Sequence, residues 1–311
     1  MDINKLPSQQ GRIIVVTGAN AGLGYETTLA LAKKGSKVIM ACRNLPKAAE
    51  AKRAIEKLVP GADLEVMELD LSSLKSVRKF AGEFQEKYDR LDILINNAGV
   101  MMPPYSETEE GFELQFVSNH LGHFLLTGLL LPAIIKTPQS RIVSLSSIIH
   151  RIGKINFDDL QSKKRYSAQG AYGQSKLACL LFAYELQRRL EKSGNTNTIS
   201  TAAHPGIANT ELSRHMPKAL YAIFQYTVGP FITHNSAEGA KPTLLAAIGE
   251  AKGGDYFGPT GSREFRGKAG KAVSSDLAKD EALAKRLWEV SEELVGLKYL
   301  LKSGSSPTCH H

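Results

Sequence analysis

Tyr172 and Lys176 stand four residues apart in a stretch, 171–190, whose apolar spacing predicts a helix, so the two side chains share a face. A free tyrosine titrates near about 10, too high for an efficient base at neutral pH. A lysine ammonium beside it favours the phenolate. Such a pair can take the proton of an alcohol as a hydride leaves the carbon, or return it during carbonyl reduction. Taken alone, a Tyr/Lys pair at this spacing is more often a surface pair. A second constellation gives it weight. Thr17-Gly18-Ala19-Asn20-Ala21-Gly22-Leu23-Gly24 joins an apolar β-branched run to a helical one. Glycines at 18, 22 and 24 permit a tight strand-to-helix turn and let backbone N–H groups approach a pyrophosphate. The acid that usually reads the ribose 2′-hydroxyl of NAD belongs at the end of the second strand. Here the chain reads Met40-Ala41-Cys42-Arg43-Asn44, with Arg43 19 residues beyond Gly24. An acid would repel a 2′-phosphate, whereas a guanidinium can fork onto it, so the expected cofactor is NADP(H).

These residues need rigid elements behind them. Strands are expected at 12–17, 37–41, 63–68, 92–95, 141–145 and 197–203. Helices are expected at 23–34, 46–58, 74–88, 109–130, 171–190, 236–248 and 280–294. Alternation of short β-branched runs with helical patterns predicts an α/β fold, a parallel sheet with helices on both faces. There is no internal repeat and no linker to divide the chain. Residues 1–302 are expected to form one dinucleotide-binding catalytic domain, and 303–311 a flexible tail with the character of an expression tag.

Three further motifs follow in order: Asn96-Asn97-Ala98-Gly99 after the fourth strand, Tyr172-Gly173-Gln174-Ser175-Lys176, and Pro205-Gly206 after the sixth. With the glycine turn they make the chain resemble the short-chain dehydrogenase/reductase family over residues 10–260. The resemblance implies a single Rossmann-type doubly wound sheet of about seven strands, order 3-2-1-4-5-6-7, and an Asn-Ser-Tyr-Lys active site. Carried onto this chain, the catalytic set is Asn119, Ser147, Tyr172 and Lys176. Ser147 would hold the substrate oxygen, with Ser146 bonded to backbone, and Asn119 would support a water-linked proton relay through Lys176. Implied cofactor contacts are Gly18, Asn20, Gly22, Leu23, Gly24, Arg43, Asn44, Asp70 at the adenine amine, Leu71, Asn97, Ala98, Gly99, Tyr172, Lys176, Pro205, Gly206, and Thr210 near the carboxamide. The 25 positions from Ser147 to Tyr172 are longer than in much of the family, and the stretch 150–160 with Lys164-Arg165-Tyr166, Ala41-Cys42-Arg43-Asn44, and Asn119-His120-Leu121-Gly122-His123-Phe124 are similar to retinol dehydrogenases. WW-domain oxidoreductases and light-dependent protochlorophyllide reductases share parts of the pattern.

Composition sets the limits. A hydrophobic share of 42% against 23% charged residues supports a full core and excludes a disordered chain. The net charge of +8 is spread along the chain and interleaved with acids, which argues against nucleic acid as a partner. Cys42, Cys179 and Cys309 form no CxxC, so neither a disulfide framework nor a cysteine zinc site is expected. His120 and His123 lie three apart without a third ligand, and are read as packing or capping groups, with no metal. His204 is read as structural and Trp288 as packing for the last helix. Residues 1–10 contain no apolar leader and no apolar run reaches the length of a membrane span, so a cytoplasmic protein is expected. Residues 217–235 are apolar, aromatic-rich and free of acids. They are expected to belong to a substrate lid near 212–236, to contact a membrane surface or partner chain, or to form an ordinary core helix. With the 147–172 insert and the loop 256–261, they are the candidates for setting specificity. The expected activity is interconversion of an apolar alcohol and its aldehyde or ketone. Reduction of a C=C bond, or a non-enzymatic NADP-binding scaffold, are the alternatives. Both monomer and homo-oligomer stay open.

Overall fold

The computed structural model describes residues 5–206 and 235–300. Eight strands form one sheet: β1 (Ile13–Thr17), β2 (Lys37–Cys42), β3 (Leu64–Glu68), β4 (Ile93–Asn96), β5 (Ser140–Leu145), β6 (Thr198–Ala203), β7 (Tyr256–Pro259) and β8 (Ala269–Lys271), in the order β3-β2-β1-β4-β5-β6-β7-β8. The first seven run parallel, and β8 pairs antiparallel with β7. The expected order of seven strands is present. The eighth is an addition that three residues, Ala-Gly-Lys, without apolar alternation could not announce. Tyr256–Pro259, expected as a loop, is a strand paired to β6 through Ala202–Tyr256 and Ala203–Phe257.

The strands are apolar on both faces because both are covered. In β1, Val15 packs into one core while Ile14 and Val16 pack into the other. The first core receives α3 (Leu74–Lys87), α4 (Leu114–Lys136), α5 (Ala168–Lys192) and α7 (Glu281–Val295). The second receives α1 (Gly22–Lys33), α2 (Leu45–Leu58) and α6 (Ser236–Ile248). Helix α4 is long and apolar enough to cross a membrane, but 78% of its most apolar window is buried inside the fold, which makes it a core helix. It starts at Leu114, later than the expected 109. Thr108 and Phe112 close a turn through Gly111 at φ +79°, and both carboxylate oxygens of the buried Glu113 cap the N–H groups of Gln115 (2.9 Å) and Phe116 (2.7 Å). Trp288 packs the last helix as expected, fully buried against Phe124, Phe182 and Tyr299.

The order reverses beside β1, which pairs with β2 on one side and β4 on the other. The strand ends diverge there and open a crevice at their carboxyl ends.

Candidate active site

Among the described α-helices, the N-terminal ends follow a rule with one exception that matters. Side chains of Asn44, Ser73, Glu113, Ser167, Asn235 and Asp280 cap the helices that follow them. Ala21, at the start of α1, offers no side-chain cap. The orphan N–H groups of that helix therefore face the crevice without a partner from their own N-cap, and an anion can satisfy them. The glycines shape the turn. Gly18 and Gly22 have φ of +65° and +53°, and a Cβ on Gly24 would run into the Gly18 carbonyl.

A cavity of about 490 Å³ occupies the crevice. Of the expected cofactor residues, Gly18, Asn20, Gly22, Leu23, Gly24, Arg43, Asn44, Asp70, Leu71, Asn97, Ala98, Gly99, Tyr172, Lys176 and Pro205 all line it. Gly206 follows Pro205 at φ +71°, backed by Phe265 and Pro259, and is not in the wall. Thr210 lies outside the described residues, as do 217–234 of the expected lid.

Thr17 ties the floor together. Its hydroxyl oxygen accepts the N–H groups of Asn97 (2.9 Å) and Ala98 (2.9 Å), and its carbonyl accepts Asn97 Nδ2 (2.7 Å). Asn97 thus joins β1 to β4. Arg43 is largely exposed, 3.9 Å from Asp70. Asp70 Oδ1 accepts the backbone N–H (2.9 Å) and hydroxyl (2.6 Å) of Ser72. Lys47, one turn into α2, also lines this end. The sequence reading missed it, although its place just after the capping Asn44 was the available signal. Cys42 is buried, its thiol pushed up to about 12 by burial, which fits packing and not chemistry.

The opposite end holds Tyr172 and Lys176. Tyr172 and Lys176 are both buried on α5, with the Lys176 Nζ 5.9 Å from the Tyr172 ring centre and donating to the Leu145 carbonyl (3.1 Å). Ser146 lines the cavity, but its hydroxyl donates to the Lys176 carbonyl (2.8 Å) and so is bonded to backbone. Ser147 is half-buried just beyond the wall, capping the turn Ile148–Ile152, with its Oγ 3.4 Å from the Ile149 nitrogen. Asn119 is also behind the wall, in a π-helical turn of α4, Val117–Leu121. Its Oδ1 accepts the Val100 N–H (2.8 Å), and its Nδ2 donates to the Val100 carbonyl (3.0 Å) and Ser175 Oγ (2.9 Å). The gap between Asn119, Lys176 and the backbone is closed at Gly99, where a Cβ would come 2.9 Å from Asn119 Oδ1 and 3.4 Å from Lys176 Nζ.

Two features of the wall escaped the sequence reading. Val100 and Met101 line the cavity next to Gly99. The loop that follows is clasped from outside: buried Gln115 accepts the Met102 N–H (2.8 Å) and donates to Tyr166 Oη (3.0 Å), while the Tyr166 hydroxyl donates to the Pro103 carbonyl (2.6 Å). The 147–172 insert acts here as a brace. His120 and His123 turn to different partners, Ser291 Oγ for the former and Thr17 Oγ1 for the latter. Among the described residues no group of three or more His, Cys, Asp or Glu side chains could hold a metal. His204 hydrogen-bonds Glu264 (3.1 Å).

The uncapped α1 terminus and the glycine cradle fit the pyrophosphate of a dinucleotide. Comparisons agree with this fold and turn. Human retinol dehydrogenase 13 is 43% identical over 292 residues, covering 93% of this chain and 86% of the relative. Mouse retinol dehydrogenase 12 is 44% identical over 289 residues, 93% and 88% of the two chains. An uncharacterized protein from Mycobacterium Paratuberculosis, known as a crystal structure, is 40% identical with a TM-score of 0.80, over 96% and 98% of the chains. RhlG of Pseudomonas aeruginosa, solved as an NADP active-site complex, is 25% identical with a TM-score of 0.63, over 80% and 94%. The family model described as short chain dehydrogenase matches residues 12–220. This chain is therefore a member of the short-chain dehydrogenase family, of the retinol dehydrogenase-like kind.

Proposed function

We propose that the protein is an NADP(H)-dependent oxidoreductase that interconverts an apolar alcohol and its aldehyde or ketone, with Tyr172 as the acid/base. The observation that carries this reading is a single cavity with an uncapped helix terminus and two cations, Arg43 and Lys47, at one end and Tyr172 with Lys176 at the other. Gly18, Gly22 and Gly24 would hold the pyrophosphate, Arg43 and Lys47 the 2′-phosphate, Asp70 the adenine, and Asn97, Ala98 and Gly99 the ribose side. The NADP complex of the Pseudomonas aeruginosa neighbour supports the cofactor choice. Relatives named for retinol, an apolar alcohol, support the substrate class, as do Val100 and Met101 in the wall.

A nicotinamide bound at the Tyr172 end would supply or take up the hydride. In the reducing direction the Tyr172 hydroxyl gives its proton to the substrate oxygen while the carbonyl carbon becomes C–H, and in oxidation the proton returns to Tyr172. The Ser147 hydroxyl orients the substrate oxygen. Lys176, buried and anchored on the Leu145 carbonyl, places a cation beside the Tyr172 ring. Asn119 holds Val100 and Ser175, and through them the frame around Lys176.

The test is a panel of aldehydes and ketones with NADPH and with NADH, followed at the nicotinamide absorbance, in the parent and in Tyr172→Phe. The variant should bind NADPH as the parent does, and lose about 10²–10⁴-fold in turnover. Near-normal turnover in Tyr172→Phe would assign the proton to another group.

A further inference from the structure

His123 sits one helical turn beyond Asn119 on α4, buried, with both ring nitrogens in use. Its Nδ1 is 3.0 Å from the Asn119 carbonyl oxygen, and its Nε2 is 2.9 Å from Thr17 Oγ1. Burial, with the nearby Lys176 ammonium, pushes its pKa down to about 4, so at neutral pH the ring carries one proton. A carbonyl oxygen can only accept, so that proton is on Nδ1. Nε2 is then bare and accepts the Thr17 hydroxyl hydrogen. The alternative acceptor for that hydrogen, the Ile95 carbonyl, is farther at 3.4 Å. Thr17 Oγ1 in turn receives the Asn97 and Ala98 N–H groups. The result is one directional chain of hydrogen bonds. It runs from the loop over the dinucleotide crevice, through Thr17 and His123, to the backbone of the π-helical turn that carries Asn119.

The chain joins elements far apart in sequence. Thr17 ends β1, and Asn119 lies in α4, where the π-helical turn sets its side chain against Val100 and Ser175. The Cys179 thiol also donates to the Asn119 carbonyl (3.2 Å), on the side of α5 that carries Lys176. An imidazole is rigid, so it fixes the Thr17-to-Asn119 separation better than a flexible side chain would. We propose that His123, as its Nδ1–H form, is a positioning residue that sets Asn119 and the Lys176 frame in register with the Thr17–Asn97–Ala98 loop. This deepens the hydride-transfer reading above and rests on it.

Two kinds of measurement test the bridge. Long-range 1H–15N NMR of the cofactor-free protein should show His123 with protonated Nδ1 and bare Nε2, unchanged between pH 7.5 and about 5.5. An Nε2–H ring, or one that becomes doubly protonated in that range, overturns the proposal. The second measurement uses His123→Leu, His123→Asn and Thr17→Val, with melting temperatures taken for each. On an aldehyde the parent reduces, His123→Leu should lose about 10–100-fold in kcat, with KM for the aldehyde within about threefold. His123→Asn keeps a side-chain N–H one turn from the Asn119 carbonyl, and should recover at least half of that loss on a logarithmic scale. Thr17→Val and His123→Asn both cut the Thr17–His123 bond, so their effects on NADPH affinity by fluorescence titration should be less than additive. A folded His123→Leu protein with parent kcat, or strict additivity of that pair, overturns the proposal. Should His123→Leu fail to fold, the asparagine variant and the NMR signature decide. A parent with no nicotinamide-dependent turnover would refute the oxidoreductase reading instead, and the tautomer and affinity measurements would still judge the bridge.

Discussion

Replacing Gly24 by alanine isolates what the glycine turn contributes. A Cβ at this position collides with the Gly18 carbonyl across the turn, coming 2.8 Å from its carbon and 2.7 Å from Asn97 Nδ2. Ordinary heavy-atom contact lies at about 3.5–4.0 Å, so the surroundings must yield by roughly 0.7 Å or more. Neither neighbour is free to move. The Gly18 N–H is bonded to the Ala41 carbonyl (2.8 Å), and Asn97 Nδ2 to the Thr17 carbonyl (2.7 Å). Overpacking of this kind costs about 1–3 kcal/mol of stability. Opening the turn also turns the α1 N–H groups away from a bound pyrophosphate, and each charge-assisted hydrogen bond lost is worth about 1.5–3 kcal/mol. Losing one corresponds to roughly 10–150-fold in affinity. Gly24→Ala should therefore raise the NADPH Kd by about 30-fold or more in a fluorescence titration, and lower stability by about 1–3 kcal/mol in urea. Gly82→Ala is the internal contrast. Gly82 is exposed in the middle of α3, with nothing within 4 Å of its hypothetical Cβ. That substitution should gain about 0.5–1 kcal/mol and leave the Kd unchanged. Parent-like NADPH affinity in Gly24→Ala, within threefold, would refute the steric reasoning.

Arg43→Asp should reverse a preference for NADPH over NADH, shifting the ratio of affinities by about 10²–10³, because the largely exposed 3.9 Å pairing with Asp70 is worth at most about 1 kcal/mol and does not compete with a 2′-phosphate. Equal affinity of the parent for both cofactors would contradict that assignment. Burial pushes His120 down to about 3 and His123 and His150 to about 4, from an ordinary 6.5. The unfolded chain binds protons that the fold refuses, so the stability these residues contribute is complete above about pH 6.5 and is lost as pH falls toward 4. By pH 5 that amounts to about 2 kcal/mol for each, and urea unfolding at pH 7 and pH 5 should show a drop of several kcal/mol, whereas a flat profile would mean that these rings are not buried as described. At matched reactivity, ring-bearing or long apolar carbonyls should give higher kcat/KM than short polar ones, and Met101→Ala should raise KM more for the larger substrates. A panel in which small anionic carbonyls win would assign Val100 and Met101 another role.

Much of the site was legible before the fold because it depends on local rules. A turn that brings backbone within reach of phosphates needs glycine at set spacings, and Gly18, Gly22 and Gly24 have it. An i,i+4 pair on a helix shares a face wherever the helix lies, which is why Tyr172 and Lys176 could be joined from spacing. The order of βα units likewise constrained the sheet, since parallel strands need helical crossovers and apolar faces on both sides. What the linear chain could not contain were meetings between distant segments. Tyr166 bracing Pro103 and His123 between Thr17 and Asn119 both depend on packing of elements tens of residues apart. The same holds for the short antiparallel strand Ala269–Lys271, which becomes a strand only because β7 offers it an edge. Local propensity and spacing are properties of neighbours along the chain, so the sequence by itself determined the turn, the helix pair and the strand alternation. Only the tertiary structure decided which wall residues face the cavity, and what Asn119, Ser146 and the histidines bond, because those partners are chosen by burial, where every donor and acceptor must find a mate.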